Sequence, residues 1–180
     1  IEQLKTIPGA EIIAVCGRDP QKLKTLSHQY SIPKTYTDYP AMIAEADLDA
    51  IDICLHNNLH MPAATQALNA GKHVFCEKPI AGTYLDGKTM IDAARRNRKD
   101  LSIQISSLFS PETKAARYMM DQNYLGTVFF AQSIHQRRRG RPFIDGYGRQ
   151  DFVRKETSGG GALIDLAIYH VAPILYLLGN

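Results

Sequence analysis

Short apolar runs alternate along this chain with longer segments whose apolar positions recur every three or four residues. Residues 11–16 form a β-branched and apolar run, which predicts a strand. Asp19 followed by Pro20 predicts a helix start, with proline in the first turn and the helix running to about Tyr30. Ile32-Pro33 makes a turn, Thr35-Tyr36 a short strand and residues 38–45 a short helix. Residues 50–55 read as a buried strand, 62–70 as a helix stopped by Gly71, and 72–76 as another buried strand. A helix rich in alanine and arginine follows over 84–97, then a strand over 101–105. Strands and helices alternating at this spacing predict βαβ units, a parallel sheet and right-handed crossovers.

The texture changes after about residue 107, where a domain boundary is expected. Residues 111–122 predict a helix, and 127–136 alternate well enough for a strand with one exposed face. A basic, glycine-bearing loop occupies 137–148. Ser158-Gly159-Gly160-Gly161 then opens one apolar helix ending at Gly179. Both ends read as cut. Residues 1–7 resemble the tail of a helix, broken at Pro8-Gly9, with no strand before it. A region made of a helix, a strand and one more helix cannot bury a full core alone.

Composition narrows the classes. Hydrophobic residues make up 44%, ordinary for a globular core. A formal net charge of +3 is too weak to argue for nucleic acid, despite the local cluster Arg137, Arg138, Arg139 and Arg141. That cluster reads as a solvated face, with a subunit contact or an acidic or phosphorylated substrate as the sharper alternative. Three cysteines, Cys16, Cys54 and Cys76, are an odd number, each in or just after an apolar run. They predict buried thiols in a reducing compartment rather than a disulfide framework. No span is long and apolar enough to cross a bilayer, and the first residues lack a signal-peptide layout. A cytoplasmic protein without nucleic-acid or membrane partners is the expectation.

The chemistry-bearing residue that stands out first is Lys78, in Cys76-Glu77-Lys78-Pro79, at the end of a predicted buried strand. Lysines avoid burial unless paired. In open α/β sheets, ligands bind at the carboxyl ends of the strands. Lys78 therefore stands where a ligand is expected, beside the carboxylate of Glu77 and ahead of the rigid Pro79. The bland alternative is a snorkelling surface lysine with Glu77 as its ion-pair partner.

Two spaced blocks give this strand end a context. One reads Ile51-Asp52-Ile53-Cys54-Leu55-His56-Asn57-Asn58-Leu59-His60 and the other Ala70-Gly71-Lys72-His73-Val74-Phe75-Cys76-Glu77-Lys78-Pro79. Together they resemble the sugar and polyol oxidoreductases of the Gfo/Idh/MocA family, whose members read roughly V-x-I-x-T-P-N-x-x-H and then A-G-K-H-V-x-x-E-K-P. The Ser110-Pro111 helix start and Gly159-Gly160-Gly161 also match, so the resemblance spans nearly the whole chain. Leu55-His56 stands where the family usually has Thr-Pro, a departure that bears on packing against the nicotinamide more than on chemistry. The resemblance implies an α/β fold: a partial Rossmann parallel sheet over 1–107, lacking its first strand and glycine-rich loop. The start of an α+β substrate and oligomerisation domain, with a mainly antiparallel sheet, would follow over 108–180. It also implies a homo-oligomer in the full-length protein.

The same resemblance implies the site. Lys78 matches the lysine that contacts substrate hydroxyl and nicotinamide ribose, with Leu55, His56, Asn57, His60, Glu77 and Pro79 around the cofactor. Many members carry Asp-x-Gly-x-His on the later helix. Here Asp165 is followed by Tyr169 and then His170, with Ala167 where glycine is usual. One branch of the family has tyrosine at this position as its proposed acid/base. Tyr169 is thus the implied catalyst, aided by Lys78, with Asp165 orienting the substrate and His170 as the alternative. The plain alternative is that Tyr169 and His170 are satisfied amphipathic residues of a helix.

Cofactor choice is read at the end of the strand over 11–16. An acidic residue there would grip the ribose 2′-hydroxyl of NAD, whereas Gly17 followed by Arg18 suits the 2′-phosphate of NADP. NADP is favoured and NAD stays open. The expected Gly-x-Gly-x-x-Gly turn is absent and would lie before residue 1, so weak dinucleotide binding is expected of these residues alone. His56 and His60, four apart, with His73 nearby, permit a zinc reading on spacing alone, but no second ligand pair supports it and no metal is expected. The function that emerges is an NAD(P)-dependent oxidoreductase moving hydride between nicotinamide and a sugar, cyclitol or polyol. A non-catalytic dinucleotide sensor and an NAD-dependent glycosidase on the same fold are the alternatives.

Overall fold

The computed structural model describes residues 1–45, 47–136, 138–139, 144–145 and 154–179. Strand β1 (Ala14–Cys16) pairs in parallel with β2 (Lys34–Tyr36), Val15 lying opposite Thr35. Strands β3 (Ala50–Ile53), β4 (His73–Glu77) and β5 (Leu101–Gln104) form a second parallel sheet in that order. Ile51 is in register with Val74, and Val74 with Leu101. The two sheets share no ladder.

The connecting helices start and stop where their sequence supplies caps. In α1 (Pro20–Tyr30), the Asp19 carboxylate accepts from the amides of Gln21 and Lys22, satisfying two first-turn donors. The short α2 (Tyr39–Ile43) repeats the device with Asp38 and the Ala41 amide. Helix α3 (Asn57–Asn69) ends at Gly71, whose φ of +77° favours glycine. The Lys72 amide donates to the Ala67 carbonyl and the Gly71 amide to that of Leu68, the paired bonds of a Schellman stop. Helix α4 (Tyr84–Asn97) begins at Thr83, whose hydroxyl accepts from the Asp86 amide.

The core lies between the three-stranded sheet and α3 and α4. Ile51, Ile53, Val74 and Cys76 project from the strands against Ala63, Ala64, Ala67, Leu68, Met90 and Ala93, all 5% exposed or less. Alanines on α3 let the helix sit close to the sheet, which fixes where the strand ends lie relative to the start of α3.

Several expectations need correction. Helix α3 starts five residues before Pro62 and carries that proline inside it. The missing Pro62 N–H leaves the Asn58 carbonyl without its helical partner, and the exposure of Asn58 lets water serve instead. Only Cys76 is a buried thiol; Cys16 is partly buried and Cys54 exposed. Beyond α5 (Pro111–Asp121), no strand forms among the described residues. Residues 127–136, expected as a strand, form no ladder among the described residues, and a strand needs a partner. The single late helix is instead two pieces, α7 (Ala162–Leu166) and α8 (Ile168–Leu178), with a short α6 (Lys155–Ser158) ahead of the glycines. The chain bends by 54° at the break before α8. Of the basic cluster, Arg138 and Arg139 are exposed, while Arg137 and Arg141 lie outside the described residues. No single helix among the described residues is long and apolar enough to cross a membrane.

Candidate active site

The turn after β4 brings Lys78 to α7. Its ammonium donates to Asp165 Oδ1 at 2.6 Å and to the Asp165 backbone carbonyl at 2.9 Å, across 87 residues of sequence. The same nitrogen sits 5.0 Å from the centre of the Tyr169 ring, within cation–π range. The Lys78 side chain is only 12% exposed and that of Asp165 27%, so the pair is held largely out of water. Glu77 is not the ion-pair partner of Lys78; its carboxylate accepts from the Lys78 backbone amide at 3.2 Å. The Lys78–Pro79 peptide is cis. The helix break at Ala167 separates Asp165 from Tyr169, yet both still reach the lysine.

Two further contacts bring the glycine segment onto the strand ends. The Asn57 side-chain amide donates to the Ser158 carbonyl at 2.7 Å. Gly159, at φ +75°, lies so close to Gly82 that a Cβ built on it would stand 3.0 Å from the Gly82 Cα. Backbone meets backbone there, which explains glycine at 159; a Cβ on Gly82 would stand an ordinary 3.7 Å from the Gly159 Cα.

The remaining expected residues are spread around this centre. Gly17 and the exposed Arg18 follow β1, the Gly17 amide donating to the Tyr36 carbonyl. Leu55, 40% exposed, and the partly buried His56 follow β3, His56 occupying the N-cap position of α3. Pro79 is buried. His60, expected at the cofactor, is 0% exposed, with Nδ1 2.8 Å from the Pro79 carbonyl and Nε2 3.1 Å from that of Leu55. Sequence reasoning placed it beside a ligand because its motif stands at a strand end; the packing turns its ring inward. His170 is held apart from Lys78 by a different set of partners. Its Nδ1 lies 2.6 Å from the Ser133 hydroxyl, and its ring is 5.0 Å from that of His135.

Neither Ser133 nor His135 was singled out beforehand, since neither belongs to a motif. Ser133, Gln132, Tyr169 and His170 border a cavity of about 350 Å³ whose other walls are apolar, with Met120, Pro173 and Leu177 among them. The thiols near the strand ends are poor nucleophiles. Desolvation, reinforced by Asp52 and Glu77, pushes the Cys54 thiol up to about 11, although the residue keeps an exposed surface. Burial pushes that of Cys76 up to about 12. His73 is engaged with Asp100, 3.0 Å from its carboxylate, and among the described residues no group of three metal-ligating side chains comes together.

Two family models divide the chain between them. Residues 1–105 match the oxidoreductase family model with its NAD-binding Rossmann fold, and 113–180 match the GFO/IDH/MocA C-terminal domain. The chain belongs to the Gfo/Idh/MocA oxidoreductase family. Among its curated Gfo/Idh/MocA-like relatives is D-glucoside 3-dehydrogenase of Escherichia coli (strain K12). It is 32% identical over 94% of this chain and 47% of that protein. Trans-1,2-dihydrobenzene-1,2-diol dehydrogenase of Xenopus laevis is also 32% identical, over 93% of this chain and 49% of its own length. Among solved structures, aldose-aldose oxidoreductase from Caulobacter crescentus, complexed with glycerol, superimposes with a TM-score of 0.80 at 28% identity. The match covers 99% of this chain and 52% of the other. The chain thus spans about half the length of the relatives it matches.

A nicotinamide dinucleotide fits the polar groups at these strand ends in part. Arg18 is exposed after β1, and Lys78 carries a positive charge after β4. No Gly-x-Gly-x-x-Gly turn occurs in the sequence to hold a pyrophosphate.

Proposed function

We propose that this chain carries the reaction centre of an NAD(P)-dependent dehydrogenase acting on a hydroxyl of a sugar, cyclitol or polyol. The observation that supports this most is the Lys78 ammonium held at once by Asp165 and over the Tyr169 ring. A bound nicotinamide supplies the hydride acceptor, or donor in reverse. The protein's own task is then the proton. Lys78 lies against the ring face of Tyr169, and Tyr169 takes the hydroxyl proton as hydride leaves the carbinol carbon. Asp165 orients Lys78 and offers an acceptor to a second substrate hydroxyl. Glu77 and Pro79 fix the turn that carries Lys78. The pairing of Lys78 with Tyr169 favours Tyr169 over His170 as the acid/base, because the partners of His170 are Ser133 and His135.

Gly17 and Arg18 favour NADP over NAD, with Arg18 pairing the 2′-phosphate. Leu55, His56 and Asn57 line the nicotinamide side. The relatives' names, a glucoside dehydrogenase and an aldose oxidoreductase, support a sugar-like substrate.

The test is turnover of a sugar and polyol panel by the full-length protein with NAD and NADP. A dehydrogenase gives reduced cofactor in stoichiometric amount. Net hydrolysis without reduced cofactor would mean a glycosidase, and binding without turnover a sensor.

A further inference from the structure

His60 is the most completely enclosed polar side chain near the site, with 0% exposure, and nothing in the proposed proton transfer uses it. It lies on the first turn and a half of α3 but reaches two loops outside that helix. Nδ1 is 2.8 Å from the carbonyl of Pro79, the residue after Lys78, and Nε2 is 3.1 Å from the carbonyl of Leu55, two residues past β3. Both partners are carbonyl oxygens, which only accept. A buried carbonyl left without a donor costs about 1–3 kcal/mol. The shorter contact therefore requires the proton on Nδ1.

We propose that His60 is a positioning residue that ties the turn carrying Lys78 to helix α3. By gripping the Pro79 carbonyl it fixes the height of the Lys78 backbone above the sheet. That sets the reach of an ammonium whose bonds to Asp165, at 2.6 and 2.9 Å, leave little slack. Imidazole suits the task because it is rigid, and its two nitrogens face opposite loops from a single ring. Its enclosure excludes water that would compete for either carbonyl.

The structural part of this inference is independent of the dehydrogenase reading, and only its kinetic consequence rests on that reading. In the chain itself, ring-¹⁵N-labelled histidine is read by NMR at neutral pH, the His60 signals being assigned by their loss in His60→Asn. Nδ1 is expected to be protonated, with Nε2 in either state. An unprotonated Nδ1 would overturn the staple.

In the full-length protein, His60→Asn keeps one amide donor, and His60→Ala keeps none. Supporting groups of this kind are worth roughly 10–100-fold, so kcat is expected to fall about 10-fold or more in His60→Ala while KM for the cofactor stays within about two-fold. His60→Asn is expected to recover part of the loss. Unchanged kcat in His60→Ala, or a loss that only tracks the folded fraction measured by circular dichroism, would overturn the positioning role. If the wild-type protein turns over no substrate, the dehydrogenase reading fails, and the NMR result still decides the staple.

Discussion

Replacing Lys78 with methionine removes the ammonium while keeping much of the stem's volume. Asp165 then loses two charge-assisted bonds, at 2.6 Å to Oδ1 and 2.9 Å to its backbone carbonyl. Bonds of this class contribute about 1.5–3 kcal/mol when a charge takes part. The Asp165 side chain is 27% exposed, so water recovers part of the loss. The cation–π contact with Tyr169 adds about 0.5–2 kcal/mol to the wild type. A net loss of about 2 kcal/mol in stability is expected, which corresponds to a melting decrease of about 4–8 °C for a protein of this size. The catalytic effect is larger. Loss of the ammonium held over the Tyr169 ring, together with a hydrogen-bond donor to substrate, is expected to lower kcat by about 10²–10⁴-fold. The assay pairs steady-state reduction of NADP or NAD by the full-length protein with thermal unfolding of the 180-residue chain. A double-mutant cycle with Asp165→Asn isolates the pair. Turnover by Lys78→Met within two-fold of wild type would refute the mechanism, and a zero coupling energy in the cycle would refute the ion pair.

Three other outcomes follow from the geometry. Gly159→Ala meets both a φ of +75° and the Gly82 Cα at 3.0 Å, so a stability loss of about 1–3 kcal/mol is expected, against near neutrality for Gly161→Ala, whose Cβ would meet nothing within 4 Å. Thermal melts of the two variants check this. The Cys54 thiol, pushed up to about 11 from an ordinary 9.0, should react slowly with iodoacetamide at pH 8 and faster as pH rises toward 11. Because its folded value is raised, its contribution to stability is complete below pH 9 and fades as pH climbs through 11, which denaturant melts across that range would register. Arg18→Ala should weaken NADP about 10-fold or more relative to NAD, measured as the ratio of KM values, if the guanidinium pairs the 2′-phosphate.

Much of the dinucleotide-type half could be read from local chemistry. Asp19-Pro20 marks the start of α1, and Thr83 with the Arg95-Arg96 end brackets α4 at Tyr84–Asn97, because caps act over three or four residues. The start of α3 was misread because Pro62 usually opens helices, whereas here exposure of Asn58 lets the helix carry it. The later half resisted because its structure depends on partners distant in sequence. The period-two alternation over 127–136 is a pattern for a strand, but pairing is decided elsewhere. The break before α8 has no proline at its hinge; Pro173 comes six residues after Ala167. At the site, Lys78 was visible by its position at a strand end. Its hold on Asp165 and Tyr169 was visible only through the family motif. The inward turn of His60 had no local signal, since an imidazole suits a ligand and a backbone carbonyl equally well.

Lys78 draws its partners from a segment 87 residues away, and the glycine contact between Gly82 and Gly159 leaves no side chain as a spacer there. The two halves of the chain therefore cannot drift apart as independent modules. A grafted segment in place of α7 and α8 would remove the tether that holds the Lys78 ammonium. A substitution on one side of that seam therefore has to be matched by one on the other.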